Sequence, residues 1–180
     1  TDSPPDSNAP IDQARVNQLV DYALDHGVNL YATSPAYCNG QSETATGNAL
    51  SRHPRNSYLL STQLSNFNPA TWSRKASQEM FRKSLQWHDE GKYHFDCVLI
   101  ELNYLEWDYA NEINPRNTDA RYLYGELEKR QIPAFVMEPL LGGCLASLPQ
   151  SVAMELKRKD YQKSITSWAF RYAGTRSGIL

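Results

Sequence analysis

Short runs of apolar residues alternate along the chain with longer segments in which apolar residues recur every three or four positions. Four such runs predict β-strands: Val28–Thr33, Tyr58–Leu64, Phe95–Leu102 and Ala134–Met137. The third run is apolar without interruption from Cys97 to Ile100, which is typical of a parallel strand buried on both faces.

The longer segments predict helices between and after these strands. They are Ile11–His26, Ser42–Ser51, Pro69 to about Gly91, Asp119–Arg130, Val152–Lys159 and Ile165–Tyr172. Ser42, Thr118 and Ser164 are the predicted N-caps, because a hydroxyl there accepts from an otherwise unpaired backbone N–H. The segment 103–117 is predicted to be a long aromatic loop.

Strand followed by helix, repeated along the chain, predicts an α/β fold with a parallel sheet of about four strands and right-handed crossovers. Functional groups in such folds collect at the carboxyl ends of the strands. The residues at or just beyond those ends are Tyr37, Gln63, Asn103 and Glu138.

Composition narrows the function classes. The chain has 180 residues, a hydrophobic fraction of 41% and a formal net charge of -2, so we expect no nucleic-acid partner. It has no run of about 18 apolar residues, so we expect no membrane span. Residues 1–10 are predicted to be a flexible leader, and residues 11–180 a single α/β domain.

The cysteines argue against a metal site or a disulfide framework. Cys38, Cys97 and Cys144 are odd in number, far apart and form no Cys-x-x-Cys pair. The histidines show no metal-ligand spacing either. A reducing, cytoplasmic location and inert thiols are therefore the expectation.

Several motifs, taken in their order along the chain, resemble those of the aldo-keto reductase family. The matching segments are Asn29–Tyr37, Gly40–Leu50, Ser61–Leu64, Ile100–Tyr104 and Met137–Gly143. The sequences of these segments are most similar to those of the bacterial branch that carries a ferredoxin-like iron–sulfur tail. The resemblance extends in pieces from about Ile11 to Leu180.

The resemblance implies an eight-stranded TIM barrel that reduces carbonyl compounds with NADPH, using a tyrosine, a lysine, an aspartate and a histidine. The tyrosine carries over as Tyr37, the catalytic residue implied here. Ala32 stands at the aspartate position and Gln63 at the lysine position. The strand that carries the histidine has no counterpart.

The same comparison implies a strongly shortened, partial or rearranged barrel. Strands four and five of the family have no match after Leu85. No first strand precedes Ile11, and the chain stops at Leu180, where the eighth would begin. The iron–sulfur tail is also missing, so no iron–sulfur cluster is expected.

The resemblance also implies a set of cofactor-binding residues. They are Glu101, Asn103, Glu138, Leu140, Gly142 and Gly143. Glu101 replaces the glutamine that would hold the nicotinamide amide, and its carboxylate has an alternative role as a group hydrogen-bonded across the sheet. The two glycines have an alternative role as an ordinary turn. NADPH binding is therefore in doubt.

The chemistry explains why these substitutions matter. Hydride transfer to a carbonyl needs a proton donor for the developing alkoxide, and a free tyrosine has a pKa of about 10. The family lowers that value with an ammonium held by a carboxylate, and Ala32 and Gln63 supply neither charge. Positioned acid–base catalysis contributes roughly a hundred- to ten-thousandfold, so a large loss of activity is expected.

Three hypotheses follow. The first is a catalytically impaired relative of the aldo-keto reductases, a pseudoenzyme shortened by nature or by engineering, with a small carbonyl compound as its ligand. The second is a working oxidoreductase that uses Tyr37 and Glu101. The third is a non-enzymatic binding module or scaffold built around the aromatic segment Tyr104–Tyr109. Because four strands cannot close the barrel, the open apolar sheet face also predicts a homodimer.

Overall fold

The computed structural model describes residues 9–64, 69, 72–91, 94–114 and 119–180. The strands are β1 (Leu30–Ala32), β2 (Leu59–Gln63), β3 (Cys97–Glu101) and β4 (Ala134–Met137). The helices are α1 (Gln13–Asp25), α2 (Ser42–Leu50), α3 (Arg74–Asp89), α4 (Glu106–Ile113), α5 (Ala120–Arg130), α6 (Gln150–Lys159) and α7 (Ile165–Gly174).

The strands form one four-stranded parallel sheet in the order β1-β2-β3-β4, with helices between them. The predicted α/β fold with a parallel sheet is therefore confirmed. β1 and β2 are in register with Leu30 opposite Leu59 and Ala32 opposite Ser61. The chain returns to β4 near its last residues, where Ile179 forms a parallel bridge with Ala134.

Contacts divide the chain within β3 into two units, Thr1–Val98 and Leu99–Leu180. The first unit contains α1 to α3 and the first two strands. Its core is a cluster of buried apolar residues contributed by several of these elements. The cluster consists of Val20, Ala49, Leu50, Tyr58, Leu60 and Phe95. Leu60 and Tyr31 face this cluster, so the alternate residues Leu30 and Leu59 lie on the opposite face of the sheet.

That opposite face of β1 and β2 is partly open. Leu30 is 48% exposed and Leu59 is 49% exposed, and the two are cross-strand partners. Such a pair of half-exposed leucines is consistent with an open sheet face. The expected homodimer through this face stays a prediction.

The second unit is built from β4 and α4 to α7. Its buried apolar residues include Leu123 and Leu127 of α5. Ile100, Leu102 and Leu145 are also almost completely buried. The helix predicted over Asp119–Arg130 corresponds to α5, which packs these leucines into the interior of the unit.

Helix boundaries follow local capping chemistry. Asp12, Ser73, Asp119 and Ser164 each accept a hydrogen bond from the backbone N–H three residues on. Ser164 was predicted as a cap and is confirmed. Ser42 was not: the side-chain hydroxyl of Ser42 bonds that of Thr33 at 2.9 Å, and α2 has no side-chain cap. The predicted cap Thr118 lies outside the described residues.

The predicted aromatic loop is in part a helix. The residues from Glu106 to Ile113 form α4, which the sequence pattern did not reveal. The side chain of Asn103 accepts from the backbone N–H groups of Leu105 and Glu106 and so organises the start of this helix. Trp107, Ala110 and Ile113 recur at helical spacing, but α4 is only eight residues long, too short for this pattern to stand out from an aromatic loop.

The domain prediction is untested. Residues 1–8 of the expected leader lie outside the described residues. Among the residues that the structure describes, no helix is long and apolar enough to cross a membrane.

Candidate active site

The turn that presents Tyr37 begins directly after β1 and Pro35. Tyr37–Gly40 form a short 3₁₀ segment in which Cys38, Asn39 and Gly40 have φ angles of 50°, 52° and 83°. Two consecutive non-glycine residues with left-handed backbone are unusual and store conformational strain. The surrounding structure therefore holds the phenol of Tyr37 in a defined place.

Tyr37 and Gln63 are in contact. The side-chain amide of Gln63, the last residue of β2, donates a hydrogen bond to the phenol oxygen of Tyr37, and both side chains are half-buried. The structure thus brings together the two residues that the sequence resemblance assigns to the family's tyrosine and lysine positions. The group beside the phenol is an uncharged amide.

The register places Ala32 on the same side of the sheet as Gln63. Ala32 of β1 lies opposite Ser61 of β2, and Gln63 follows two residues later, so all three side chains share one face. Ala32 is exposed, and its methyl group cannot form an ion pair with a cation at position 63.

A buried carboxylate lies behind this pair. Glu43, in the first turn of α2, is 3% exposed. Its carboxylate accepts from the hydroxyl of Thr62 at 2.5 Å and from the hydroxyl of Ser84 at 3.0 Å. Burial raises the pKa of Glu43, while the bonds from Thr62 and Ser84 and the charge of Lys83 act in the opposite direction.

Sequence reasoning did not find this network. The three residues are 19 and 22 positions apart in the sequence, so no spacing rule joins them. A signal was nevertheless present. Thr62 and Ser84 are small polar residues close in sequence to buried apolar residues, Leu60 in β2 and Leu85 in α3.

In the second unit, Glu101 and Asn103 have protein partners. The carboxylate of Glu101 accepts from the side-chain amide of Asn114 at 3.0 Å. Asn103 is 0% exposed; its amide donates to the carboxylate of Glu106 and to the backbone carbonyl of Glu138. With the two bonds that its oxygen accepts at the start of α4, Asn103 uses its full hydrogen-bonding capacity inside the protein.

The glycine turn after β4 is closed by its own residues. The carboxylate of Glu138 accepts from the backbone N–H of Gly142 at 2.5 Å, and the N–H of Gly143 donates to the carbonyl of Leu140. Leu141 likewise donates to the carbonyl of Glu138. Positive φ angles at Glu138, Leu141, Gly142 and Gly143 give this turn its shape.

These contacts decide how well the predicted cofactor-binding residues fit NADPH. A dinucleotide phosphate needs exposed N–H donors or cations, and Gly142 gives its N–H to a carboxylate instead. The carboxylates of Glu101 and Glu138 add negative charge rather than cancel it. As folded here, this set does not fit the cofactor, and its predicted role stays a prediction that the geometry disfavours.

The aromatic segment is largely used for packing. The ring of Trp107 contacts that of Tyr124 at a centroid distance of 5.9 Å, and the guanidinium of Arg176 lies 3.5 Å from the Trp107 centroid. Tyr109, in contrast, is 53% exposed. Trp107 therefore contributes to the interior of the second unit rather than to an open platform.

Within the described residues, no group of three or more histidine, cysteine, aspartate or glutamate side chains could hold a metal ion. Cys38 and Cys144 are exposed and Cys97 is buried, and all three are free thiols. Burial raises the pKa of Cys97, which favours its neutral form.

The comparisons with known proteins agree with the motifs and with the fold. The sequence model of the Aldo/keto reductase family matches residues 1–90, half of the chain. The chain therefore belongs to the aldo-keto reductase family. No curated protein matches the sequence.

A solved structure shows the same fold. A Pseudomonas aeruginosa protein described as an aldo-keto reductase aligns with a TM-score of 0.50 and 17% identity, over 94% of this chain and 66% of its own. An aldo-keto reductase from Klebsiella pneumoniae, solved in complex with NADPH, has 13% identity and a TM-score of 0.35 over 97% of this chain and 75% of its own. At these identities the likeness extends to the fold alone.

Proposed function

We propose that this chain is a catalytically impaired aldo-keto reductase relative that still recognises a carbonyl oxygen at Tyr37. The observation that carries the proposal is the hydrogen bond from the Gln63 amide to the Tyr37 phenol. It joins the two residues that the resemblance assigns to the family's catalytic tyrosine and lysine, and the second of them is an uncharged amide.

The contact favours a hydrogen-bonding role for Tyr37. A phenol that accepts a hydrogen bond also has an O–H donor, and in this proposal a ligand's carbonyl oxygen competes for that donor with the contacts that Tyr37 makes within the protein. The half-buried setting of both side chains strengthens such a bond relative to water. A small ketone or aldehyde is therefore the ligand class that suits this pair.

The same contact explains the impairment. An ammonium at position 63 would stabilise a phenolate and ease proton transfer, and an uncharged amide supplies no such attraction. Ala32 removes the carboxylate that would hold a lysine in place. Losing positioned acid–base catalysis lowers a rate by roughly a hundred- to ten-thousandfold.

NADPH would supply the hydride if it bound. The residues proposed to hold it are poorly suited, because the N–H of Gly142 is taken by the carboxylate of Glu138. The amide of Asn103 is likewise used inside the protein. Weak cofactor binding is thus a second, independent reason to propose low reductase activity.

The other two hypotheses have less support. A working oxidoreductase that uses Glu101 would need a carboxylate available for chemistry, and that of Glu101 accepts from Asn114. A binding module built on the aromatic segment would need an accessible platform, and the ring of Trp107 packs against Tyr124 and Arg176.

The test is a titration of protein labelled with ¹³C-tyrosine by a small aromatic ketone, followed by NMR. We expect the Tyr37 signal, assigned through its loss in Tyr37→Phe, to shift saturably. The exposed Tyr109 is the matched control, and Tyr109→Phe is expected to leave the binding unchanged. No ketone-dependent shift at Tyr37 would overturn carbonyl recognition. NADPH oxidation that depends on Tyr37 would overturn the proposed impairment.

A further inference from the structure

Glu43 is a buried carboxylate that the proposed carbonyl site does not itself use. It is 3% exposed, and its two hydroxyl partners, Thr62 and Ser84, are each 1% exposed. Carboxylates are rarely buried to this extent unless they are hydrogen-bonded. Its position therefore calls for a role that an apolar side chain could not fill.

The contacts of Glu43 join three elements of the first unit. The carboxylate extends from the first turn of α2, accepts from Thr62 of β2 at 2.5 Å, and accepts from Ser84 of α3 at 3.0 Å. Hydrogen bonds to a charged acceptor are shorter and stronger than neutral ones. The position of the acidic group in the first turn of α2 is also favoured by the helix dipole.

Two of these elements carry the proposed site. Thr62 directly precedes Gln63 on β2, and α2 directly follows the turn Tyr37–Gly40 and its neighbour Gln41. Successive strand residues point to opposite faces, so Thr62 reaches Glu43 on one face while Gln63 reaches Tyr37 on the other. The bond between Glu43 and Thr62 therefore ties the two backbone segments that hold the Gln63–Tyr37 contact.

We propose that Glu43 is a positioning residue that, through Thr62, holds Gln63 against the phenol of Tyr37. The inference rests on the proposed role of the Tyr37–Gln63 pair in carbonyl recognition. The bond from Ser84 anchors the carboxylate to α3 and does not lie between the two segments. Removal of Thr62's hydroxyl and removal of Ser84's hydroxyl should then have different effects on Tyr37.

The ¹³Cζ signal of Tyr37 measures the Gln63 contact without any cofactor or ligand. The chain contains 11 tyrosines, and Tyr37→Phe identifies the signal of interest by its loss. Gln63→Leu removes the amide donor and gives the signal position of a Tyr37 without that bond. This variant calibrates the scale on which the other variants are read.

Thr62→Val removes the hydroxyl at nearly constant shape, and Thr62→Ser keeps it. We expect Thr62→Val to move the Tyr37 signal at least halfway to the Gln63→Leu position. Thr62→Ser should leave it near the wild-type position. Ser84→Ala is the matched control: it also removes a bond to Glu43, but it should not move the Tyr37 signal.

The outcomes separate positioning from a purely structural role. If Thr62→Val unfolds, Glu43→Leu, which removes the acceptor of the Thr62 hydroxyl, takes its place with the same expected shift. An unmoved Tyr37 signal in the folded variant, or an equal shift in Ser84→Ala, would overturn the proposal. Because the readout involves neither ketone nor NADPH, a failure of the proposed function would be seen separately, in the ligand titration.

Discussion

The side-chain amide of Gln63 donates a hydrogen bond to the phenol oxygen of Tyr37. The bond links the end of β2 to the strained turn after β1, and it places an uncharged group at the position that the sequence resemblance assigns to the family's lysine. Charge at this one position is therefore the first property to restore by mutation.

Gln63→Lys should make the phenolate of Tyr37 form at lower pH than in the wild type. A cation within about 4–6 Å favours the charged form of an acid and shifts its titration by about one to three pH units. The change can be followed by NMR of ¹³C-tyrosine across an alkaline titration. Ala32→Asp, added to Gln63→Lys, should enlarge the shift by holding the lysine in place.

A lysine introduced elsewhere provides the control for that experiment. Gln131→Lys adds the same charge at an exposed position of the second unit. It should leave the titration of Tyr37 unchanged. An equal effect of both variants would mean that net charge, and not contact with residue 63, controls the phenol.

The buried carboxylate of Glu43 should make stability depend on pH. Burial raises the pKa of Glu43 above its ordinary value of 4.5, against the opposing effects of Thr62, Ser84 and Lys83. Its stabilising contribution is fully present below the unfolded-state pKa and is lost as the pH rises through the folded-state pKa. The wild type should therefore lose free energy of unfolding relative to Glu43→Gln as the pH rises above about 4.5.

Urea unfolding of both proteins at a series of pH values measures this difference directly. Comparing the two cancels the contributions of the other titrating groups. A difference that does not change with pH would show that the carboxyl titrates alike in the folded and unfolded chains.

Glu138→Ala should open the glycine turn to anions. The substitution removes the carboxylate that accepts from the N–H of Gly142 and also removes a negative charge. We expect inorganic phosphate to shift the Gly142 amide signal saturably in the variant and far less in the wild type. Glu128→Ala, which removes an exposed carboxylate elsewhere in the same unit, should behave like the wild type.

Trp107→Ala should lower the free energy of unfolding by about 2 kcal/mol. The ring packs edge-on against Tyr124 and lies under the guanidinium of Arg176, and both kinds of contact stabilise the folded state. The exposed Tyr109 is the comparison, since Tyr109→Ala should change stability by no more than about 0.5 kcal/mol. Equal effects of the two substitutions would contradict a packing role for Trp107.

Self-association through the open sheet face can be tested at Leu59. Leu30 and Leu59 are neighbours on that face, and each exposes about half of its surface. We expect light scattering to show dimers of the wild type at high concentration and monomers of Leu59→Lys. A monomeric wild type at every concentration would contradict the prediction.

The fold was largely predictable because its signals are local and periodic. β3 is apolar over most of its length because both of its faces are buried. The leucines of α5 lie along one stripe because only one face of that helix is buried. Ala134–Met137 was predicted with the bounds that the structure gives. These features depend only on residues a few positions apart.

The errors concern polar side chains with alternative partners. The hydroxyl of Ser42 could cap α2 or bond another hydroxyl, and in the structure it is hydrogen-bonded to the hydroxyl of Thr33. The helix α4 was missed because it is only eight residues long and because the buried amide of Asn103 organises its start. Neither choice can be made from the sequence, since each depends on which elements meet in space.

The candidate site was only partly predictable, because some of its contacts depend on how distant elements pack. Tyr37 and Gln63 were identified through family motifs, and their side chains are in contact, while the roles predicted for them stay predictions. Glu43 was not recognised as part of the network, because its partners Thr62 and Ser84 are brought to it only by the packing of β2 and α3.

An NADPH titration, read by cofactor fluorescence and by melting temperature, tests the proposed impairment most directly. A ligand at about 100 times its Kd adds roughly 2.7 kcal/mol to stability, which a melting curve detects. We expect no saturable change at millimolar NADPH and no oxidation with small carbonyl compounds. Saturable binding together with turnover that disappears in Tyr37→Phe would contradict the proposal and identify a working reductase.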